Sequence, residues 1–180
     1  MRVFAHVLTI GLLAFMSPAA RAELSAGSPA PAISIPAALG GKDITFRLTE
    51  ALRKGPAVVY FYPKSFTSVC TEEARQFAEA MDQFEALGAT VIGISTDTIE
   101  TQRAFSRLEC RDKFPVGADP EGRVVRAYDA ARDGADRIFA SRTSYVITPD
   151  AKIHAAHTAS DAESHIRFAL ASIRAWKAKN

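Results

Sequence analysis

The chain of 180 residues has only two cysteines, Cys70 and Cys110. Cys70 lies in "FYPKSFTSVCTEEARQF" (61–77), between an aromatic, strand-like run and the start of a helical pattern, and it has no CxxC partner. A thiol in this setting could be a buried structural side chain, half of a static disulfide, a metal ligand or a nucleophile. Which of these four roles Cys70 has depends on the residues around it.

The neighbours of Cys70 could favour its ionised form. The thiolate is the reactive species, and a free cysteine, with a pKa of about 8.5, needs help to ionise at neutral pH. A helix that begins near Thr67 or Ser68 would place Cys70 in its first turn, beside free N–H groups and partial positive charge. The Thr67 hydroxyl would lie close to the sulfur, and Pro63 would end the strand and shield one side. These features favour a nucleophile but leave a structural cysteine possible, since free cysteines are often simply buried.

The pattern around Cys70 predicts alternating strands and helices. The apolar run "AVVYFY" (57–62) and "TVIGIST" (90–96) are typical of strands buried on both faces, and apolar residues recur at helical spacing across 71–87. Such a strand–helix–strand unit implies parallel pairing, and ligands of such sheets bind beyond the carboxyl ends of the strands. Cys70 falls at that edge, so its position alone makes it a candidate site residue.

Other segments complete a single α/β domain. Alternating residues on either side of Gly40-Gly41 predict an N-terminal β-hairpin. Asp97 or Thr98 can cap the next helix, whose Phe105 and Leu108 are expected to face inward.

Three later segments are also assigned from their patterns. Residues 131–142 are polar and predict an exposed loop, whereas 144–157 predict a hairpin. The last helix is expected to begin with a capping box formed by Ser160 and Glu163, and to pack its apolar stripe, ending at Trp176, against the core.

The first residues predict export. Residues 1–22 combine a basic start, a ten-residue apolar stretch (7–16) and a small-x-small ending at Ala22, which is typical of a cleaved secretory signal. We therefore expect a domain spanning 23–180 in a compartment outside the cytoplasm, with a bacterial periplasm as the expected one. The apolar stretch is too short to span a bilayer comfortably.

The charge balance argues against nucleic-acid binding. Removing Arg2 and Arg21 lowers the basic count from 22 to 20, against 20 acidic residues, and no dense basic cluster is present. In an oxidising compartment, a disulfide between Cys70 and Cys110 is chemically allowed.

Several blocks resemble the peroxiredoxin (AhpC/TSA) family. Residues 63–70 are similar to its PxxxTxxC signature, and "VVYFYP" (58–63), Glu73 and "GATVIGISTD" (88–97) are similar to its flanking segments. "SRTSYVITPDAKI" (141–153) resembles its arginine-containing segment. The resemblance extends over nearly all of 23–180 and implies a thioredoxin-like fold, with a central mixed sheet flanked by helices.

The resemblance also implies roles for individual residues. Cys70 corresponds to the peroxidatic cysteine, whose thiolate attacks a hydroperoxide and becomes a sulfenic acid. Thr67 corresponds to the hydroxyl that bonds the peroxide, and Pro63 to the proline that shields the thiolate. Arg142 corresponds to the remote arginine that stabilises the thiolate, as a guanidinium can. Glu73 is expected to orient that arginine, although a solvated carboxylate favouring the helix dipole is an equal alternative.

The chain resembles most closely the Q type, or bacterioferritin comigratory protein, but departs from one of its patterns. Many such proteins carry a resolving cysteine five residues after the first, where this chain has Arg75. Cys110 remains as the resolving candidate, slightly later than in a second Q-type pattern. It would form an intramolecular disulfide with Cys70; the alternatives are a bystander thiol or a static bridge.

The expected partners are a hydroperoxide and a thioredoxin-like or other thiol reductant, with no metal or organic cofactor, nucleic acid or membrane. The expected state is a monomer or weak homodimer. His154, His157 and His165 are interpreted as surface residues rather than a metal site. Two other functions remain open: a thioredoxin-like thiol–disulfide oxidoreductase, disfavoured by the missing CxxC, and a non-enzymatic redox sensor that uses Cys70.

Overall fold

The computed structural model describes residues 23–134 and 136–180. The expected secretory signal, residues 1–22, lies outside the described residues, so its assignment stays a prediction. Within the described ranges, no helix is both long enough and apolar enough to cross a membrane.

The described residues form nine strands and five helices. The strands are β1 Ser34–Leu39, β2 Lys42–Arg47, β3 Ala57–Phe61, β4 Thr90–Ser95, β5 Val116–Ala118, β6 Ala131–Asp133, β7 Ile138–Ala140, β8 Thr143–Ile147 and β9 Ile153–Thr158. The helices are α1 Leu48–Leu52, α2 Ser68–Ala86, α3 Ile99–Leu108, α4 Arg123–Ala127 and α5 Glu163–Lys177.

Seven strands form one mixed sheet in the order β2-β1-β5-β4-β3-β8-β9. The central pairs β3–β4 and β4–β5 are parallel, as the buried apolar runs predicted, whereas β8 lies antiparallel to β3. The N-terminal hairpin of β1 and β2 is confirmed, with Gly40 and Gly41 in its turn at φ of 58° and 75°. The predicted fold class, a mixed sheet flanked by helices, is therefore confirmed.

The two faces of the sheet bury two different helix layers. Alternate residues of β3 show this, because Val59 and Phe61 pack with α1 and α4, whereas Val58 and Tyr60 pack with α2, α3 and α5. Both cysteines belong to the second layer. The Cys70 helix and the helix before Cys110 thus pack on the same face.

Local sequence explains where α2 begins and ends. Thr67 has an extended backbone and precedes the first helical residue, Ser68, so the helix begins three residues before the apolar pattern that predicted it. At the other end Gly88 adopts a φ of 68°, and its N–H donates to the carbonyl of Glu85. Ala89 N–H donates to the carbonyl of Phe84, which completes a Schellman motif.

Two predictions about individual elements are wrong. Residues 131–142 are not simply a loop, because β6 and β7 pair as a short antiparallel hairpin. Leu108 does not face inward and is 64% exposed, since α3 ends there and only its earlier apolar residue, Phe105, meets the sheet.

The expected cap of the last helix is also wrong. Asp161, rather than Ser160, accepts a hydrogen bond from the backbone N–H of Ser164, at 2.9 Å. An aspartate one residue closer to the helix satisfies this free N–H, so the predicted capping box does not form.

Gly93 allows Tyr60 to lie across the neighbouring strand. The two residues are register partners on β3 and β4, and a Cβ at position 93 would lie 2.5 Å from Cζ of Tyr60. The Tyr60 ring stacks on Phe77 with a centroid separation of 4.4 Å, so it has little room to shift.

Gly93→Ala is therefore expected to lower the free energy of unfolding by about 2 kcal/mol, the usual cost of overpacking a core. Urea unfolding would measure it in the wild-type background and in a Tyr60→Leu background, where the smaller side chain leaves room. The cost should shrink in the second background; an equal cost in both would show that the Tyr60 ring is not the obstacle.

Candidate active site

Cys70 is the third residue of α2, directly after the loop 63–67 that follows β3. The first backbone bond of this helix runs from Thr71 N–H to the Thr67 carbonyl, at 2.9 Å. The amides of the preceding turn, which includes Cys70, therefore have no acceptor within the helix, and they bring partial positive charge to the sulfur. The thiol itself is almost completely buried, at 1% exposure.

Arg142 reaches Cys70 because of the sheet order. It immediately precedes β8, whose first residue Thr143 pairs with Phe61, the last residue of β3. The antiparallel pairing thus places the beginning of β8 beside the end of β3, where the Cys70 loop starts. From there Arg142 Nη2 donates a hydrogen bond to Cys70 Sγ at 3.1 Å.

Glu73 holds the other arm of the same guanidinium. Its Oε2 accepts a hydrogen bond from Arg142 Nη1, and its side chain is 0% exposed. Residues three apart in a helix share a face, so Glu73 and Cys70 both point towards Arg142. Of the two interpretations of Glu73, the geometry therefore excludes a solvated carboxylate and favours a residue that orients the arginine.

Burial also changes the protonation of Glu73. Loss of solvation raises the pKa of this carboxyl to about 8, while the charge and hydrogen bond of Arg142 act in the opposite direction. Within the described residues its second oxygen, Oε1, has no hydrogen-bond partner. Burial thus favours the neutral carboxyl group of Glu73, whereas its single cationic partner, Arg142, favours the carboxylate.

Thr67 and Pro63 lie at the entrance to the site. The Thr67 hydroxyl donates to the carbonyl of Lys64 at 2.9 Å, rather than to Cys70, and the side chain is exposed. Pro63 is half-buried and, together with Arg142 and Ser141, lines a cavity of about 430 Å³. Thr67 therefore stabilises the loop in this state and has its oxygen lone pairs available at the helix entrance.

Cys110 lies just beyond α3 and is a free, fully buried thiol, as Cys70 is. Burial raises the pKa of the Cys110 thiol well above its ordinary range, and the nearby charges of Glu109 and Asp112 raise it further. Its backbone N–H donates to the carbonyl of Phe105 at 3.2 Å. Cys110 in this position is thus a protonated thiol rather than a ready nucleophile.

Ion pairs attach the segment around Cys110 to one face of α2. Each pair joins a residue of α2 to a residue of 109–113, and all three involve exposed or half-buried side chains. The pairs are Arg75–Glu109 at 2.8 Å, Glu79–Arg111 at 3.1 Å and Asp82–Lys113 at 3.9 Å. We call this set the ionic seam. Arg75, five residues after Cys70, is one of its members.

His165 is a site residue that the sequence interpretation placed wrongly at the surface. It is 0% exposed, its Nε2 lies 3.2 Å from the carbonyl of Ala159, and its Nδ1 lies 2.8 Å from Ser144 Oγ. Since a carbonyl can only accept, Nε2 carries the proton and Nδ1 accepts from Ser144. Nδ1 is also 3.9 Å from Glu73 Oε1, which extends the Cys70–Arg142–Glu73 contacts by one residue.

The spacing of α5 contained the missed signal. His165 precedes the buried residues Ala169 and Ile173 by one and two turns, so it belongs to the apolar stripe. Among the described residues there is no group of three His, Cys, Asp or Glu side chains that could hold a metal ion.

The buried histidine should make stability depend on pH. Burial lowers the pKa of His165 to about 4, so the unfolded chain binds the additional proton at a higher pH than the folded one. The contribution of neutral His165 is therefore present above pH 6.5 and is lost as the pH falls towards 4. Glu73, with its raised pKa, acts in the opposite sense, losing stability as the pH rises from 4.5 to 8.

We expect that His165→Gln removes the loss of stability that buried His165 causes as the pH falls. The stability advantage of the wild type over this variant should shrink by about 2 kcal/mol between pH 7 and pH 4.5, measured by urea unfolding. His154→Gln, at a half-buried position of β9, is the matched control. A difference between wild type and His165→Gln that does not change with pH would contradict a neutral, buried His165.

Comparisons with known proteins agree with this site. A profile of the AhpC/TSA family matches residues 26–156. A relative from Mycobacterium tuberculosis, which carries the provisional name of peroxiredoxin, is 32% identical over 131 residues, covering 72% of this chain and 84% of its own. Peroxiredoxin Bcp of Xanthomonas campestris is 27% identical over 152 residues, covering 82% of this chain and 92% of its own.

Solved structures give the same result. The crystal structure of peroxidoxin BcpB from Mycobacterium tuberculosis superposes with a TM-score of 0.77 at 29% identity, covering 83% of this chain and 96% of that one. The family match spans well over half of the chain and includes Cys70, Arg142 and the strands that bring them together. The chain belongs to the AhpC/TSA family, the peroxiredoxins.

Proposed function

We propose that the protein is a thiol peroxidase in which Cys70 is the peroxidatic residue. The observation that carries the proposal is the hydrogen bond from Arg142 to Cys70 Sγ, made by a guanidinium that Glu73 holds in place. A fixed cation thus lies within hydrogen-bonding distance of the reacting sulfur. The same cation can then stabilise the charge that develops on the oxygen of the peroxide.

The first step needs no group that the chain lacks. The Cys70 thiolate attacks the terminal oxygen of a hydroperoxide, forms an S–O bond and breaks the O–O bond. The electron pair of that bond leaves on the second oxygen, which takes a proton and departs as water or an alcohol, while sulfur becomes a sulfenic acid. First-turn amides of α2 and Arg142 are the donors available to the peroxide oxygens; the Thr67 hydroxyl joins them once it leaves the carbonyl of Lys64.

We further propose that Cys110 resolves the sulfenic acid. Its thiol would displace the hydroxyl group from Cys70 sulfur, forming a disulfide and releasing water, and an external dithiol would then return both cysteines to thiols. Both side chains are buried and Cys110 is protonated, so this step requires local opening. The ionic seam, made of exposed or half-buried pairs at the surface that each contribute little, is a contact that can open readily.

The cellular setting is a proposal that depends on residues 1–22. If that segment directs export, the reductant is a thioredoxin-like or other thiol outside the cytoplasm. A monomer or weak homodimer agrees with resolution inside one chain, because no second subunit has to supply a thiol.

A redox sensor would use the same oxidation of Cys70, and a thiol–disulfide oxidoreductase would use the same fold. Turnover separates these functions from a peroxidase. A sensor is oxidised once and does not consume peroxide steadily with a thiol reductant, and an oxidoreductase reduces disulfides without peroxide. The lack of a second cysteine near Cys70 in CxxC spacing disfavours the oxidoreductase.

Arg142→Met should slow the reaction of Cys70 with hydrogen peroxide by about 10- to 100-fold, which corresponds to one charge-assisted hydrogen bond. Stopped-flow measurement of the second-order rate constant would test it. Arg167→Met is the matched control, since Arg167 is an exposed arginine paired with Glu163 on α5. Equal rates in wild type and Arg142→Met would exclude Arg142 from the oxidation step.

Cys70→Ser should abolish peroxide consumption in the presence of dithiothreitol, because the nucleophile is lost. Cys110→Ser should keep the first oxidation, yet accumulate sulfenic and then sulfinic acid at Cys70. Mass mapping after one equivalent of peroxide would identify each product.

Two results would contradict the proposals separately. Unchanged turnover by Cys70→Ser would exclude the peroxidase function. A wild-type protein that accumulates Cys70 sulfinic acid while Cys110 stays a free thiol would exclude Cys110 as the resolving residue and leave Cys70 in its role.

A further inference from the structure

A buried polar cluster behind the Cys70 loop takes no part in the steps above. We call it the Gln102 junction; its side chains come from the end of β3, the Cys70 loop, the end of β4 and α3. Its members, all at most 8% exposed, are Tyr62, Ser65, Ser95, Asp97 and Gln102. Burying five polar side chains lowers the stability of the fold unless all of them are hydrogen-bonded, so a cluster of this kind is expected to have a role.

Gln102 is the centre of this junction and uses both ends of its amide. Its Oε1 accepts from Tyr62 Oη at 2.8 Å and lies 3.3 Å from Ser65 Oγ. Its Nε2 donates to Ser95 Oγ at 2.8 Å and to the carbonyl of Gly117 at 3.1 Å. All donors and acceptors of the amide are thereby satisfied. One side chain of α3 thus holds four other segments.

The junction fixes the middle of the Cys70 loop. The backbone N–H of Ser65 donates to Asp97 Oδ2 at 2.7 Å, and Ser95 Oγ donates to the same oxygen at 2.9 Å. The next residue, Phe66, has a φ of 64°, which a non-glycine residue adopts only when its surroundings hold it there. The loop that precedes Cys70 is therefore held in a strained conformation by bonds to β4 and α3.

The same part of α3 leads to Cys110. Phe105, one turn after Gln102, packs against the ring of Tyr62 at 5.5 Å and against the ring of Phe66 at 5.2 Å, measured between centroids. Its carbonyl accepts the hydrogen bond from Cys110 N–H. A continuous set of contacts therefore runs from the Cys70 loop through Gln102 and Phe105 to Cys110.

We propose that Gln102 is a positioning residue that couples the Cys70 loop to the Cys110 end of α3. Because of this coupling, the same local opening makes both buried cysteines accessible. The inference rests on the proposed resolving role of Cys110. Moving the loop breaks the bonds of Ser65 and Tyr62 to Gln102, and the freed amide then no longer holds α3 against β4 and β5. The junction thereby sets how often the Cys70–Cys110 disulfide can form.

This coupling controls which product the sulfenic acid gives. With Cys110, it forms a disulfide and water; with a second hydroperoxide, it takes one more oxygen and forms a sulfinic acid and an alcohol or water. A weaker junction opens more often and favours the disulfide. The junction therefore affects the ratio of the two products, and it leaves the first oxidation unchanged because none of its side chains is hydrogen-bonded to Cys70 or Arg142.

Two variants test the coupling. Gln102→Met keeps the length of the side chain and removes all of its hydrogen bonds. Tyr62→Phe keeps the ring and removes the hydroxyl that donates to Gln102 and lies 3.2 Å from Ser65 Oγ, while Ser65 Oγ can still donate to Gln102. Tyr145→Phe is the matched control, since its buried hydroxyl donates to the carbonyl of Tyr128 at 2.7 Å in the layer on the other face of the sheet. If Gln102→Met does not fold, Tyr62→Phe decides the question.

Each protein would be mixed rapidly with increasing hydrogen peroxide, quenched, alkylated and mapped by mass spectrometry. Loss of one hydrogen bond, about 1 kcal/mol, should speed disulfide formation about 5-fold in Tyr62→Phe and lower the sulfinic fraction correspondingly. The rate of the first oxidation should stay within about two-fold of wild type, a range equivalent to roughly 0.4 kcal/mol. The control should match wild type in both measurements.

Disulfide formation that is unchanged or slower in Tyr62→Phe would overturn the coupling, and so would an equal acceleration in Tyr145→Phe. Cys110→Ser identifies a failure of the underlying function instead. If wild type and Cys110→Ser give the same sulfinic fraction at every peroxide dose, Cys110 does not resolve the sulfenic acid, whatever the junction variants show.

Discussion

The site depends on a guanidinium that lies almost out of water between a thiol and a carboxyl group. Arg142 is 9% exposed and Glu73 is fully buried, so each has lost most of its hydration and depends on the other. Removing one partner of such a pair leaves an uncompensated buried group, which is why the geometry is strongly specified. The proposed chemistry of Cys70 follows from this pair, because it holds the donor to sulfur before any substrate arrives.

The fold brings this arrangement about with few elements. Antiparallel pairing of β8 with β3 places Arg142 beside the loop that follows β3, and the first turn of α2 carries Cys70 and Glu73 on one face. His165 adds a neutral, hydrogen-bonded side chain behind Glu73. The fixed parts of the site thus come from the sheet and two long helices, whereas the parts that the proposed resolving step would move are the loop 63–67 and the segment around Cys110.

The two cysteines are held by different physical means. Cys70 lies behind a loop fixed by buried hydrogen bonds, which are individually strong because no water can replace them. The segment around Cys110 is attached to α2 by the exposed or half-buried pairs of the ionic seam, which water and salt weaken. The proposed resolving step is therefore expected to depend more on the Gln102 junction than on the seam.

Local patterns in the sequence predicted the buried strands, the N-terminal hairpin, the helical spacing of α2 and the position of Cys70 at the edge of the sheet. These features depend on residues close together in the chain, such as the two glycines between β1 and β2. Recognition of the family motifs added Arg142 and Glu73. The sequence interpretation failed for Leu108, for His165 and for the hairpin of β6 and β7, where contacts with distant residues determine burial.

What the sequence by itself determined is the chemistry available: one thiol at a helix N-terminus, one arginine at a strand start and a second, distant thiol. Only the tertiary structure decided which groups lose their water. Segments that are far apart in the chain must pack together to bury Glu73 and His165 and to raise the pKa of the Cys110 thiol. The same packing forms the hydrogen bonds of the Gln102 junction. Desolvation is a property of that packing: the spacing of α5 can place His165 on an apolar stripe, but it does not say which groups surround the ring or how much water they exclude.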